Sequence, residues 1–164
     1  MKLDRIDQYH LDAAEGWLEL GNYLEANEEL EQIRPELRGH PFVLQARQDI
    51  YAKAGKWEVA AEVARSLAII LPGNSWVWIQ WAFALHELER TREAKGVLLP
   101  VADRFPDQAM IRYNLACYSC QLGEMEESMQ WLGKAMDLAG KKEIRRIALN
   151  DADMKPLWSE IVNV

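Results

Sequence analysis

Two cysteines stand three residues apart in Cys117-Tyr118-Ser119-Cys120, the spacing of a redox pair or of half a zinc site. A redox pair of this form needs a lowered thiol pKa, which a helix N-terminus supplies, and a structural zinc needs a second pair of ligands. This segment falls in the middle of a predicted helix, with no second ligand pair nearby in sequence, so both cysteines read as small helix-packing residues. The three histidines, His10, His40 and His86, have no metal-ligand spacing among them. Carboxylates gather at Glu28, Glu29 and Glu31 and again at Glu124, Glu126 and Glu127. Such groups read as solvated helix faces, and none pairs two carboxyls in the contrasting environments that acid–base catalysis uses. There is no Gly-rich phosphate loop and no Gly-x-Ser-x-Gly nucleophile signature. The expectation is a chain that is not an enzyme and holds no metal or cofactor.

Composition narrows the remaining classes. Hydrophobic residues make up 49% of the 164 and charged residues 27%, the balance of a folded globular chain. The net charge of −7 argues against nucleic acid, because neutralising phosphates takes clustered Lys and Arg. The one basic run, Lys141, Lys142, Arg145 and Arg146, reads as the solvated end of a helix. The longest apolar stretch, Trp76 to Leu85, contains Gln80 and is shorter than the roughly 18 residues of a membrane span. The opening Met1-Lys2-Leu3-Asp4-Arg5 has no signal-peptide core, and two cysteines suit a reducing compartment, so a cytoplasmic location is expected.

The elements that carry these residues repeat. Leu20-Gly21-Asn22-Tyr23-Leu24-Glu25-Ala26 and Ala54-Gly55-Lys56-Trp57-Glu58-Val59-Ala60 lie 34 residues apart. The same step leads to Leu88-Glu89-Arg90-Thr91-Arg92-Glu93-Ala94 and to Leu122-Gly123-Glu124-Met125-Glu126-Glu127-Ser128. Flanking columns keep the register: Leu30, Ala64, Leu98 and Leu132; Ile33, Leu67, Val101 and Ala135; Ala14, Gln48, Ala82 and Ala116; Trp17, Tyr51, Leu85 and Ser119. Each unit reads as two amphipathic helices around a tight turn. Gly21, Gly55 and Gly123 end the first helix, and the Ala or Ser at position 26, 60, 94 or 128 is small where two helices approach closely. Pro41, Pro72 and Pro106 mark unit boundaries.

A 34-residue helix-turn-helix with Gly, aromatic and Ala at these intervals resembles the tetratricopeptide repeat family. The resemblance covers residues 7–142 as units 7–40, 41–74, 75–108 and 109–142 of a single domain spanning residues 1–164. It implies an all-α fold, a right-handed superhelical stack of hairpins. Arg47 and Gln48 depart from the apolar-then-small pattern of the family, and Pro35 should shorten the second helix of unit 1. Residues 143–162 are expected to form capping helices, presenting Ile144, Ile147, Ala148, Leu157, Trp158 and Ile161 to the end of the stack. On unit 3, Trp78, Trp81, Ala82 and Leu85 are expected on the buried stacking face.

In this family the first helices of successive units line a concave groove. Carried over at the 34-residue step, its rows are Gln8, Phe42, Trp76 and Met110; Leu11, Gln45, Ile79 and Tyr113; and Glu15, Asp49, Phe83 and Cys117. The rows run from acidic, at Glu15 and Asp49, to apolar and aromatic, at Phe42, Trp76, Ile79, Phe83, Met110 and Tyr113. Three readings of the apolar end stay open: a site for a protein or peptide with an apolar segment and basic flanks, a surface buried in a homo-oligomer, or ordinary core. The Lys, Asn and Arg clamp with which heat-shock-chaperone co-factors hold a peptide carboxylate has no counterpart, because the matching places are Leu11, Glu15, Ala46, Trp76 and Gln80. The resemblance is closer to members that shelter hydrophobic segments, such as type III secretion chaperones.

Overall fold

The computed structural model describes residues 2–163, and among these it contains ten α-helices, two short 3-10 helices and no strand. The helices are α1 (Arg5–Glu19), α2 (Tyr23–Gln32), α3 (Pro41–Lys53), α4 (Trp57–Ile70), α5 (Ser75–Glu87), α6 (Thr91–Ala102), α7 (Ala109–Gln121), α8 (Met125–Ala139), α9 (Lys141–Ala148) and α10 (Trp158–Val162). The starts of α3, α5 and α7 coincide with the unit boundaries expected at residues 41, 75 and 109. No described helix is long and apolar enough to cross a membrane.

The four turns are built alike. After α1, Gly21 N–H donates to the Leu18 carbonyl and Asn22 N–H to that of Trp17, both at 2.9 Å. The same pair of bonds closes the helix at Gly55, Glu89 and Gly123, satisfying carbonyls that a helix end leaves without intrahelical donors. The motif places its pivot in the left-handed region, at φ 79° for Gly21, 68° for Gly55 and 80° for Gly123. Glu89 takes the same conformation at φ 61° with a Cβ in the way. Such a residue carries a steric cost of roughly 1–2 kcal/mol. Glu89→Gly is therefore expected to raise stability by about 1 kcal/mol, measured as a higher urea midpoint at unchanged slope. A lower midpoint would show that the Glu89 side chain more than offsets its own strain.

Most of the columns read from the sequence line the interior, whereas that of Trp17, Tyr51, Leu85 and Ser119 is buried only at Leu85 and Ser119. Ala26, Ala60, Ala94 and Ser128 are all fully buried, as are Leu30, Ala64, Leu98 and Leu132. At the last of the close approaches, Ser128 Oγ donates to the Ala116 carbonyl at 2.7 Å, joining α8 to α7. Pro35 does shorten the second helix of unit 1: α2 stops at Gln32, and a 3-10 turn follows over Pro35–Leu37. The departure at Arg47-Gln48 does not interrupt α3, but Gln48 is buried with no hydrogen-bond partner for Oε1 among the described residues.

Contacts divide the chain after Val77 into two compact units. In the first, α2 packs on α1 and on α3, and α4 packs on α3. Its start is tied down by Asp7, a buried carboxylate that the pattern of apolar residues does not announce. Asp7 accepts from the Arg34 backbone N–H at 3.1 Å and from its guanidinium, which holds the carboxyl down to about 2. In the second unit α7 packs on α6 and α8, and α9 packs on α8. There the buried Arg112 donates to the carbonyls of Ala102 and Gln108, closing the connection between α6 and α7.

Two expectations for α5 need correction. Trp78 and Trp81 are only half-buried, with ring centroids 5.9 Å apart, and the Arg104 guanidinium lies 5.3 Å from the Trp78 ring. A cation over the ring face stabilises a half-buried indole by about 0.5–1 kcal/mol. Ala82 and Leu85 are buried as expected, with Val77 and Ala84.

Candidate functional site

The first two rows of inner-helix residues differ in burial, and the third is mixed, with Phe83 exposed and Cys117 buried. In the first unit Phe42 is 63% exposed and Trp76 is 52% exposed; in the second, Met110 is 37% and Phe83 43% exposed. The middle row is different. Leu11 is core of the first unit, Ile79 is 6% exposed and Tyr113 is 3% exposed. Of the readings left open for the apolar end, Ile79 and Tyr113 take that of core.

The cover over Tyr113 is the C-terminal tail. Residues Ala152–Leu157 form a 3-10 helix that packs on α7, burying Met154 and Leu157, and α10 packs on it and on α9. The Tyr113 hydroxyl donates to Asp151 Oδ2 at 2.6 Å, and Cys117 Sγ lies 3.5 Å from the same oxygen. Asp153 Oδ2 lies 2.9 Å from His86 Nε2, while His86 Nδ1 lies 2.9 Å from Thr91 Oγ1. Gln121 Nε2 donates to the Asp153 carbonyl at 2.7 Å, and Trp158 Nε1 to the Ala148 carbonyl at 2.9 Å. The tail thus lies along the face of α7 that the repeat assigned to the groove. Burial raises both the Tyr113 hydroxyl and the Cys117 thiol well above their ordinary values, and the Asp151 carboxylate adds to both. A thiol held protonated in this way is no nucleophile. Burial raises the Cys120 thiol too. Among the described residues no group of three or more His, Cys, Asp or Glu could hold a metal ion.

In the first unit the acidic end of the rows is open. Glu15, Leu18 and Glu19 of α1 and Asp49, Ala52 and Lys53 of α3, with Trp57, line a depression of about 580 Å³. Partial burial raises the Glu15 carboxyl, and the charges of Asp12, Asp49 and Glu19 raise it further. Gln45 Nε2 reaches both Asp49 oxygens at 3.3 Å. A carboxyl raised in the folded state favours folding most at low pH, and that contribution is lost as pH rises through its folded value. At neutral pH the ionised Glu15 is accordingly a small net cost, softened by solvent. Glu15→Gln is expected to raise the Tm by a few degrees or less at neutral pH. The gain should vanish as pH falls below the ordinary carboxylate value of about 4. A gain that persists in acid would mean that packing, not charge, is responsible.

Comparison with known proteins gives a likeness of fold. No family model matches the chain, and no curated protein matches it. Among solved structures, MamA residues 41 to the end from Desulfovibrio magneticus RS-1 superposes with a TM-score of 0.75 at 16% identity, covering 99% of this chain and 96% of that one. TTC0263, a thermophilic TPR protein of Thermus thermophilus, superposes with a TM-score of 0.69 at 16% identity, covering 98% and 83%. This chain has the tetratricopeptide-repeat fold. Its four repeats share the turn, the close-approach residue and the helix starts.

Proposed function

We propose that this protein is a cytoplasmic protein-interaction module, binding rather than catalytic, whose inner helices hold an apolar peptide or helix with basic flanks in the manner of a chaperone. The observation that carries the reading is in the first unit, where Phe42 and Trp76 stand one 34-residue step apart and are both exposed. In the second unit, Phe83 and Met110 are likewise exposed apolar side chains of the inner helices. Large apolar side chains kept in water at equivalent places of successive repeats are expensive unless something covers them, and aromatic anchors dominate interface energetics. The convergent carboxylates Glu15, Glu19 and Asp49 supply the complementary charge. Their mutual repulsion is relieved when Lys or Arg of a ligand enters the depression. Ile79 and Tyr113, both buried, are not themselves contacts in this reading.

The test is selection from a random peptide library on the immobilised full chain. Enriched peptides are expected to combine aromatic or aliphatic residues with Lys or Arg. The double variant Glu15→Lys, Asp49→Lys is expected to slow their association, with the difference shrinking at high salt. Enrichment of acidic peptides, or association rates indifferent to the reversal, would sink the reading.

A further inference from the structure

The helix α1 has two apolar faces, and only one of them is used. Leu11 and Ala14 with the buried Asp7 point into the first unit. Ile6, Tyr9, Ala13, Trp17 and Leu20 recur at helical spacing on another face, where Ile6 is 69%, Tyr9 66%, Trp17 37% and Leu20 77% exposed. The repeat shows what this second face is for. One step of 34 residues from Tyr9, Ala13 and Trp17 lie Val43, Arg47 and Tyr51 of α3, a helix that packs on the preceding α2. Val43 is fully buried there, and Arg47 reaches Glu31 of α2 at 2.9 Å. Three steps on lie Ile111, Leu115 and Ser119, all fully buried on α7, which packs on α6. The stripe on α1 is therefore a helix-docking face.

We propose that its occupant is the same stripe of a second copy, in an antiparallel pair of α1 helices related by a two-fold axis at Ala13. The stripe is self-complementary. Counted outward from Ala13, large side chains stand at four and seven residues on both sides: Tyr9 and Ile6 one way, Trp17 and Leu20 the other. Antiparallel pairing about Ala13 sets Tyr9 against Trp17 and Ile6 against Leu20, with the small residue where the two helix axes come closest. Charge agrees with this direction, since the exposed Arg5 near one end of the helix faces the exposed Glu19 near the other end of its partner. Head-to-tail stacking is disfavoured, because α9 already packs on α8, where a following repeat would dock. A contact made only between like ends is isologous and closes at a dimer. One helix pair is small for an interface, so the dimer is expected to be weak, forming in the micromolar range.

Sedimentation velocity on the full chain across that range tests the idea. The wild type is expected to pass from monomer to dimer. Ala13→Glu, which sets two carboxylates at the axis, and Tyr9→Lys, at an exposed site, are each expected to weaken the dimer by roughly 30-fold or more with unchanged thermal melts. Engineered thiols check the direction: Ala13→Cys should oxidise to a linked dimer on its own, whereas Ile6→Cys and Leu20→Cys should link only when mixed. A wild type that stays monomeric overturns the proposal. So does a dimer that survives both charged variants, or an Ile6→Cys chain that links to itself more readily than to Leu20→Cys.

Discussion

A chain truncated after Ala148 is expected to lose stability by ~5 kcal/mol or more and to aggregate. The deleted segment contributes Met154, Leu157 and Ile161, all buried, each stabilising by roughly 1.5–3 kcal/mol when withdrawn from water. Their sum rivals the whole net stability of an ordinary domain, about 5–15 kcal/mol, although the entropy of ordering the segment offsets part of it. The loss does not end with apolar area. Tyr113 would lose the Asp151 carboxylate that accepts its hydroxyl, and His86 would lose Asp153. The newly bared face of α7 would present Tyr113 and Cys117 to other molecules, which is how an uncapped repeat array becomes insoluble. Met154→Ala is the milder version. It leaves the polar contacts in place and should cost about 2–5 kcal/mol, roughly 5–20 °C in Tm for a chain of this size. Calorimetry and light scattering on both variants decide the matter. A truncated chain that remains monomeric with an unchanged Tm would mean that the tail rests on the second unit without holding it.

The hairpins were legible because their determinants are local. A left-handed turn residue, a small residue at the close approach and an apolar column are each a matter of a few neighbouring positions, and they recur four times in one register. Even the exception was visible in advance: Glu89 occupies a turn position held elsewhere by glycine and adopts the same backbone conformation. On α5 the signal was ambiguous for a physical reason. Trp76, Val77, Trp78, Ile79, Trp81, Phe83, Ala84 and Leu85 surround the helix with apolar side chains, so periodicity cannot say which face is inside. The structure chooses Val77, Ile79, Ala82, Ala84 and Leu85, mostly the smaller ones, and leaves the indoles of Trp78 and Trp81 half-buried. The docking of the tail was out of reach because its bonds join residues 38 and 67 positions apart. Nothing in the local sequence links Asp151 to Tyr113 or Asp153 to His86. The available hint was chemical: Tyr113, Cys117 and Gln121 put hydrogen-bonding groups on an inner face, and Asn150-Asp151-Ala152-Asp153 offers two carboxylates. Buried donors require acceptors, and the tail supplies them.

For a peptide selected on the full chain, Trp76→Ala is expected to weaken binding by roughly 30-fold, about 2 kcal/mol, with the circular dichroism spectrum and Tm unchanged. The separation of these two effects follows from burial. Half of the Trp76 surface is already in water, so its truncation leaves no cavity comparable to that of a core residue. Its indole would instead lose the contact area that it gains when a ligand covers it. Phe42→Ala should behave in the same way, being more exposed still. Tyr113→Ala is the contrasting case, because it removes a buried ring and one of the donors to Asp151, so a fall in Tm should precede any effect on binding. Titration calorimetry with one selected peptide against the three variants distinguishes the possibilities. A Trp76→Ala chain that melts early places the indole in the core. One that melts normally and binds at full strength removes the first row from the binding surface, leaving the acidic depression of Glu15, Glu19 and Asp49 to account for any affinity that charge reversal abolishes.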